Sequence, residues 1–390
     1  MTKQEFNTWV STLSEDDKAR ARGYYTVIRR DPTTRDLTMV DYNVEYAQFL
    51  QPAAALLRQA SNMVSNKQLA NFLKLRADSF ESNDYFESEC AWLDVPTDSA
   101  IEVTIGPYEV YEDALFGYKA AFEAYISVSD PAGTEKLKKF SFRMSELEAN
   151  LPIKEEYKNK ALVGVQPIIV VNQVFVGGDR GGAATAAYNL PNNEQVIAKK
   201  GSKMIILKNV QQRKFNRILK DIANVVIADD QLQYVTFDAF FTHILAHEMC
   251  HGIGPHTITL DDGTTSTVGR QLENHHSALE ESKADVAGCR LFGLNEAHGK
   301  GQALQLIYML REGGFKYDEQ TMKFSVNFDT VKQKFTDLTR LIMETQAKGN
   351  KAAAKTLLDE YVVLTDPVKT ALANITATGV PVDIEPVRLM

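Results

Sequence analysis

The segment Phe237-Asp238-Ala239-Phe240-Phe241-Thr242-His243-Ile244-Leu245-Ala246-His247-Glu248-Met249-Cys250-His251 reads as a single helix. Its residues Phe240, Phe241, Ile244 and Leu245 mark one apolar face at α-helical spacing. His247 and His251 stand at i and i+4 and share a face, so both imidazoles reach one tetrahedral ion. Glu248 then lies beside the coordination position such an ion leaves open, where a carboxylate takes a proton from water. Gly252 and Gly254-Pro255 follow the second histidine and end the helix.

A third protein ligand is required, and downstream stands Ala278-Leu279-Glu280-Glu281-Ser282-Lys283-Ala284-Asp285. Glu281 is the candidate, on a second helix, with Asp285 four residues later placed to orient a ligand imidazole through its other ring nitrogen. The plain alternative is a solvated acidic turn paired with Lys283; the histidine motif favours ligation. Cys250 reads as a small buried hydrophobe. His243, His256, His275 and His276 read as surface or internally satisfied histidines.

Around this core of chemistry the chain has 390 residues, enough for two or three domains or one two-lobed unit. With 44% hydrophobic and 24% charged residues it is a folded protein rather than a disordered one. The net charge of -8 is not gathered into blocks, which speaks against nucleic acid or a membrane surface as partner. Three widely spaced cysteines give no disulfide framework and fit a reducing compartment. The N-terminus is polar and no apolar run reaches transmembrane length, so the expected location is the cytoplasm.

Tyr42 to Ala77 is helical in pattern, with Leu50, Ala54, Leu57 and Met63 expected in the core. Ile101-Glu102-Val103-Thr104-Ile105 alternates like a strand that ends in Gly106-Pro107, and Pro167-Ile168-Ile169-Val170-Val171 is a β-branched run. Gly177 to Gly182 is a glycine-rich loop that fits neither a Walker loop nor a dinucleotide fingerprint. Ile205-Ile206-Leu207 is strand-like, and helical patterns return at Gln302–Arg311 and Val331–Ala347. The tail from Gly379 reads as extended. The expected fold is α+β and two-lobed, with a cleft between the lobes. Residues 1–203 form a mixed N-terminal lobe, against which 375–390 packs, and residues 204–374 a mostly helical zinc lobe.

These segments resemble the dipeptidyl peptidase III family of metallopeptidases, peptidase family M49, in the shorter branch found in bacteria and as a domain joined to Nudix hydrolases in plants. The resemblance runs from about Phe72 onward. It is carried by Ile105-Gly106-Pro107-Tyr108-Glu109-Val110-Tyr111-Glu112-Asp113, Tyr188-Asn189-Leu190-Pro191-Asn192, His247 to His256, Glu280 to Asp285, Asn295-Glu296-Ala297-His298-Gly299 and Val380-Pro381-Val382-Asp383-Ile384. No Nudix box is visible.

The resemblance implies one zinc ion on His247, His251 and Glu281, with Glu248 as the catalytic base. It further implies that Glu109 pairs with a substrate α-ammonium and that Tyr111 hydrogen-bonds the scissile carbonyl, roles suited to a carboxylate and a phenol. Asn189 and Asn192 would grip the substrate backbone, since an amide side chain both donates and accepts. His298 would donate to the oxyanion or leaving group. Read alone, Tyr111 is a core aromatic and Asn189-Leu190-Pro191-Asn192 a turn. Two features depart from the family pattern. The longer members carry one more residue between the ligand histidines, and Asp285 to His298 lacks the family's longer helical insertion. The expected activity is zinc-dependent hydrolysis of short peptides with release of dipeptides from a free N-terminus. The alternative, suggested by the short segment, is a zinc-stabilised peptide-binding protein without turnover.

Overall fold

The computed structural model of the chain describes residues 1–110, 113, 118–141, 144–159, 167–178, 184–260, 262–288 and 296–384, with the backbone alone at 137, 139–141, 288 and 296–299. The fold is α+β. The chain divides into two compact units, Met1–Thr134 with Gln166–Asn209, and Glu135–Val165 with Val210–Met390. Where the sequence reading set one break at 203/204, the chain therefore crosses between units at 134/135, 165/166 and 209/210. The reason is local: residues 135–165 hold to the second unit through Lys136 Nζ on Asp238 (2.6 Å), Glu148 Oε2 under the Gly254 amide (2.7 Å) and Arg340 Nε on the Pro152 carbonyl (2.9 Å).

Among the described residues the first unit holds a five-stranded sheet: β1 (Ile101–Glu109), β2 (Ala121–Ser129), β3 (Ile168–Gly178), β4 (Ala187–Leu190) and β5 (Lys203–Leu207), in the order β1-β2-β3-β5-β4. β3 and β5 pair in parallel at the centre, and the other pairings are antiparallel. Central strands are covered on both faces, which is why Ile169-Val170-Val171 and Ile205-Ile206-Leu207 are continuous apolar runs, all buried. The sheet curls until side chains from its two edge regions meet. Tyr188 of β4 stacks on Tyr125 of β2, with centroids 4.9 Å apart, and donates to Thr104 Oγ1 of β1 at 2.9 Å. Lys203 of β5 reaches Glu102 of β1 at 3.3 Å, fully buried, where Glu102 also accepts from the Trp92 indole (2.7 Å).

Helices α1 (Ala47–Met63), α2 (Lys67–Ser82) and α3 (Phe86–Leu93) also belong to this unit, and α1 buries Leu50, Ala54 and Leu57. Met63, expected in that stripe, is 85% exposed. It stands thirteen residues after Leu50, about 140° off the buried face at 100° per residue. The strand expected to stop at Gly106-Pro107 instead continues to Glu109. β1 is an edge strand, where a proline without an amide hydrogen breaks no ladder.

The second unit is mainly helical. It holds α4 (Phe237–Cys250), while α5 (His276–Gly288), α6 (Glu296–Arg311), α7 (Val331–Ala347) and α8 (Lys351–Tyr361) share a core containing Leu279, Leu304, Met309, Leu338, Ile342 and Leu357. Two of these helices match the sequence patterns at Gln302–Arg311 and Val331–Ala347. Among the described residues no helix is long and apolar enough to cross a membrane.

Candidate active site

Helix α4 starts on Thr236, whose hydroxyl accepts from the Ala239 amide at 3.2 Å. It buries Phe241, Ile244, Leu245, Met249 and Cys250, so the helix is fixed on its apolar side and its two histidines are held toward α5. After His251 the chain turns away through Gly254, at φ +79°. The fully buried Lys283 of α5 donates to the carbonyls of His251 (3.2 Å) and Ile253 (2.9 Å), closing the end of α4. Lys283 pairs with Glu280 at 2.7 Å, so the solvated turn considered from the sequence is a buried brace.

His247 Nε2 and His251 Nε2 lie 3.1 Å apart, with their rings perpendicular. Glu281 Oε2 lies 3.4 Å from the first and 3.9 Å from the second. Bonds of about 2.1 Å in a tetrahedron set neighbouring ligand atoms about 3.4 Å apart. The three side chains thus have the spacing of one coordination shell. Among the described residues they are the group that could hold a metal ion.

The donor set fits a cation chemically as well. His247 donates from Nδ1 to Asp285 Oδ1 at 2.8 Å, and His251 from Nδ1 to Glu280 Oε1 at 3.0 Å. Glu280 also accepts from Gln346 Nε2 (3.0 Å), and Asp285 from Gln302 Nε2 (3.4 Å). With both Nδ1 atoms committed as donors, both Nε2 lone pairs face the same point, an arrangement that requires a positive centre or a proton. Burial disfavours charging His247, but the hydrogen bonds of Asp285 and Glu281 outweigh it and raise its pKa to about 9. Burial likewise pushes the Glu280 carboxyl up, and His251 and Lys283 outweigh this and hold it down at about 2. The pocket therefore favours a cation between its imidazoles and carboxylates.

Glu248 is half-buried on the same helix turn. Glu109 ends β1, Asn189 is exposed on β4, and Asn192 donates from Nδ2 to the Tyr108 carbonyl at 2.8 Å; these three belong to the first unit, the histidines and Glu281 to the second. His298 is on α6 with only its backbone described, and Tyr111 and the segment 289–295 lie outside the described residues. Cys250 is buried, as read, and His243 is buried too, in keeping with the internal one of its two readings. Sequence reasoning gave no role at the site to Glu280, Gln302 or Gln346, and it took Lys283 only as the partner of a solvated turn. An acidic pair beside a ligand was a visible cue for Glu280. Gln346 had no local signal.

The family model of Peptidase family M49 matches residues 3–282, a span that includes His247, Glu248, His251 and Glu281. The chain belongs to peptidase family M49. By its description the family is one of peptidases. The M49 chain is similar to the solved structure of DPP III from Caldithrix abyssi, with 40% identity and a TM-score of 0.94 over 99% of this chain and 79% of that one. It is also similar to dipeptidyl-peptidase III from Corallococcus sp. strain EGB, with 43% identity and a TM-score of 0.78 over 99% and 77%. A curated relative, Nudix hydrolase 3 of Arabidopsis thaliana, is 41% identical over 436 residues, covering 99% of this M49 chain. The chain spans 56% of that relative's length.

Proposed function

We propose that the chain is a zinc-dependent peptidase that releases dipeptides from the free N-terminus of short peptides. The observation that carries this is the convergence of two lone pairs and a carboxylate oxygen, with each imidazole tied from behind by its own carboxylate. Two nitrogens and one oxygen suit zinc with a position left open.

His247 and His251 would hold the ion through Nε2 and Glu281 through a carboxylate oxygen, with Asp285 and Glu280 keeping the rings oriented. Bound zinc would supply Lewis acidity toward the peptide carbonyl and toward water. Glu248 takes the proton of the attacking water and passes it to the leaving amine. Tyr111 and His298 donate to the developing oxyanion. Glu109 pairs with the substrate α-ammonium, and Asn189 and Asn192 meet its backbone.

The test is release of a dipeptide from a dipeptidyl arylamide by the zinc-loaded protein and by Glu248→Ala. Loss of a general base lowers kcat by about 10²- to 10⁴-fold. Equal rates would reject turnover and leave a zinc-stabilised peptide-binding protein.

A further inference from the structure

Beneath β1 in the first unit lies a cation that the mechanism does not use. Arg76 of α2 is fully buried, and among the described residues no carboxylate forms an ion pair with it, although buried Glu89 lies near enough to feel its charge. Its guanidinium carbon sits 5.4, 5.2 and 5.3 Å from the ring centres of Phe72, Tyr85 and Tyr108. One Nη atom donates to the Tyr108 hydroxyl at 2.6 Å, while Nε and the other Nη find no hydrogen-bond partner among the described residues. Gly106 makes room for it, since a Cβ there would stand 2.5 Å from the guanidinium. Burying such a group costs several kcal/mol, and ring faces return only about 0.5–2 kcal/mol each. An apolar side chain would fill the space at less cost. What it would not supply is a directed hold on a hydroxyl.

That hydroxyl belongs to a distinctive residue. The β1–β2 ladder pairs Pro107 with Phe122 and then Glu109 with Ala121, so Tyr108 is the extra residue of a bulge. A bulge re-aims the side chains around it and leaves its own backbone unpaired. Here the Tyr108 carbonyl is taken by Asn192 Nδ2 at 2.8 Å and its hydroxyl by Arg76 at 2.6 Å, so the bulge is clamped from both ends. The next residue is Glu109.

We propose that Arg76 is a positioning residue for the substrate's amino terminus: by holding bulged Tyr108 from beneath, it fixes the direction in which Glu109 leaves the strand. This rests on the amine-anchor role given to Glu109 above. Asn192 acts in the same device, steadying the Tyr108 backbone from the β4 side.

The experiment measures binding rather than turnover. Calorimetry on zinc-loaded Glu248→Ala protein compares a tetrapeptide with its N-acetylated form, in that background alone and with Tyr108→Phe or Arg76→Lys added. The parent is expected to prefer the free amine by at least about tenfold, as a buried ionic hydrogen bond implies. Tyr108→Phe, which removes only the clamped hydroxyl, is expected to cut that preference to below about threefold and leave the acetylated peptide's affinity unchanged. Arg76→Lys, which lacks the planar fork, should do the same. A preference that survives in the variants overturns the proposal, as does an equal loss of affinity for both peptides, which marks general damage. If Arg76→Lys does not fold, Tyr108→Phe decides. If that variant also fails to fold, the contact serves the fold and the proposal falls. A parent with no preference removes the anchor role of Glu109 and this inference with it, while the arylamide assay judges turnover separately.

Discussion

Glu280 stands next to a proposed ligand in sequence but faces a different task. Its carboxylate receives His251 Nδ1, Lys283 and Gln346, three contacts from three separate parts of the chain. Glu280→Gln keeps the shape and removes the charge, and zinc affinity should fall about 10- to 100-fold, read by competition with a chelator. An unchanged affinity would show that His251 needs no such partner. A second carboxyl gives a pH signature away from the metal. Burial raises the pKa of Glu89 to about 7, with Arg76 opposing and Asp84 adding. A carboxyl raised on folding contributes stability below its unfolded value near 4.5, and that contribution is lost as pH climbs through about 7. Glu89→Gln should therefore flatten the decline in urea midpoint between pH 5 and 8, a difference of roughly 3 kcal/mol at most. A slope unchanged by the substitution would contradict the burial assignment.

At the scale of elements, the helix that carries both histidines was legible because everything defining it is local: a capping threonine, an apolar face, an i, i+4 pair and a glycine stop. Its end is set by Gly254 at φ +79°, where an added Cβ would also press on Met343 at 3.3 Å. Gly254→Ala should cost about 1–2 kcal/mol in chemical denaturation, and more if Met343 is pinned. What stayed hidden was whatever depends on distant partners. The hold of Gln346 on Glu280 spans 66 residues, and that of Arg76 on Tyr108 spans 32. The bulge at Tyr108 is likewise invisible in Ile105-Gly106-Pro107-Tyr108-Glu109, since the register of β1 is set by β2 and not by its own letters. Met63 misleads for the opposite reason: it is apolar and close to the stripe, yet the turn of the helix carries it to the exposed side.

For the molecule as a whole, the proposed ligands come from α4 and α5, helices of the second unit that a shared ion would tie together. Zinc at a thousand times its dissociation constant should stabilise this unit by about 4 kcal/mol, seen as a rise in its melting transition that a chelator reverses. His247→Ala should abolish the rise. A transition indifferent to zinc in the parent protein would remove the metal from the proposed function. The α+β class and the mostly helical character of the second unit were readable from periodicity. The three crossings between units were not, because residues 135–165 carry no sequence mark of the unit they join.

That interleaving imposes an order on birth at the ribosome. Residues 135–165 are synthesised long before the partners that receive them, with Asp238 and Gly254 arriving roughly 5–20 s later at ordinary elongation rates and Arg340 later still. Throughout that interval Met144 of this segment, buried in the finished protein, lacks neighbours such as Gly252 that cover it there. A fragment cut at any point before α4 would leave residues 135–165 without those partners, so neither unit can be obtained by trimming the gene from one end.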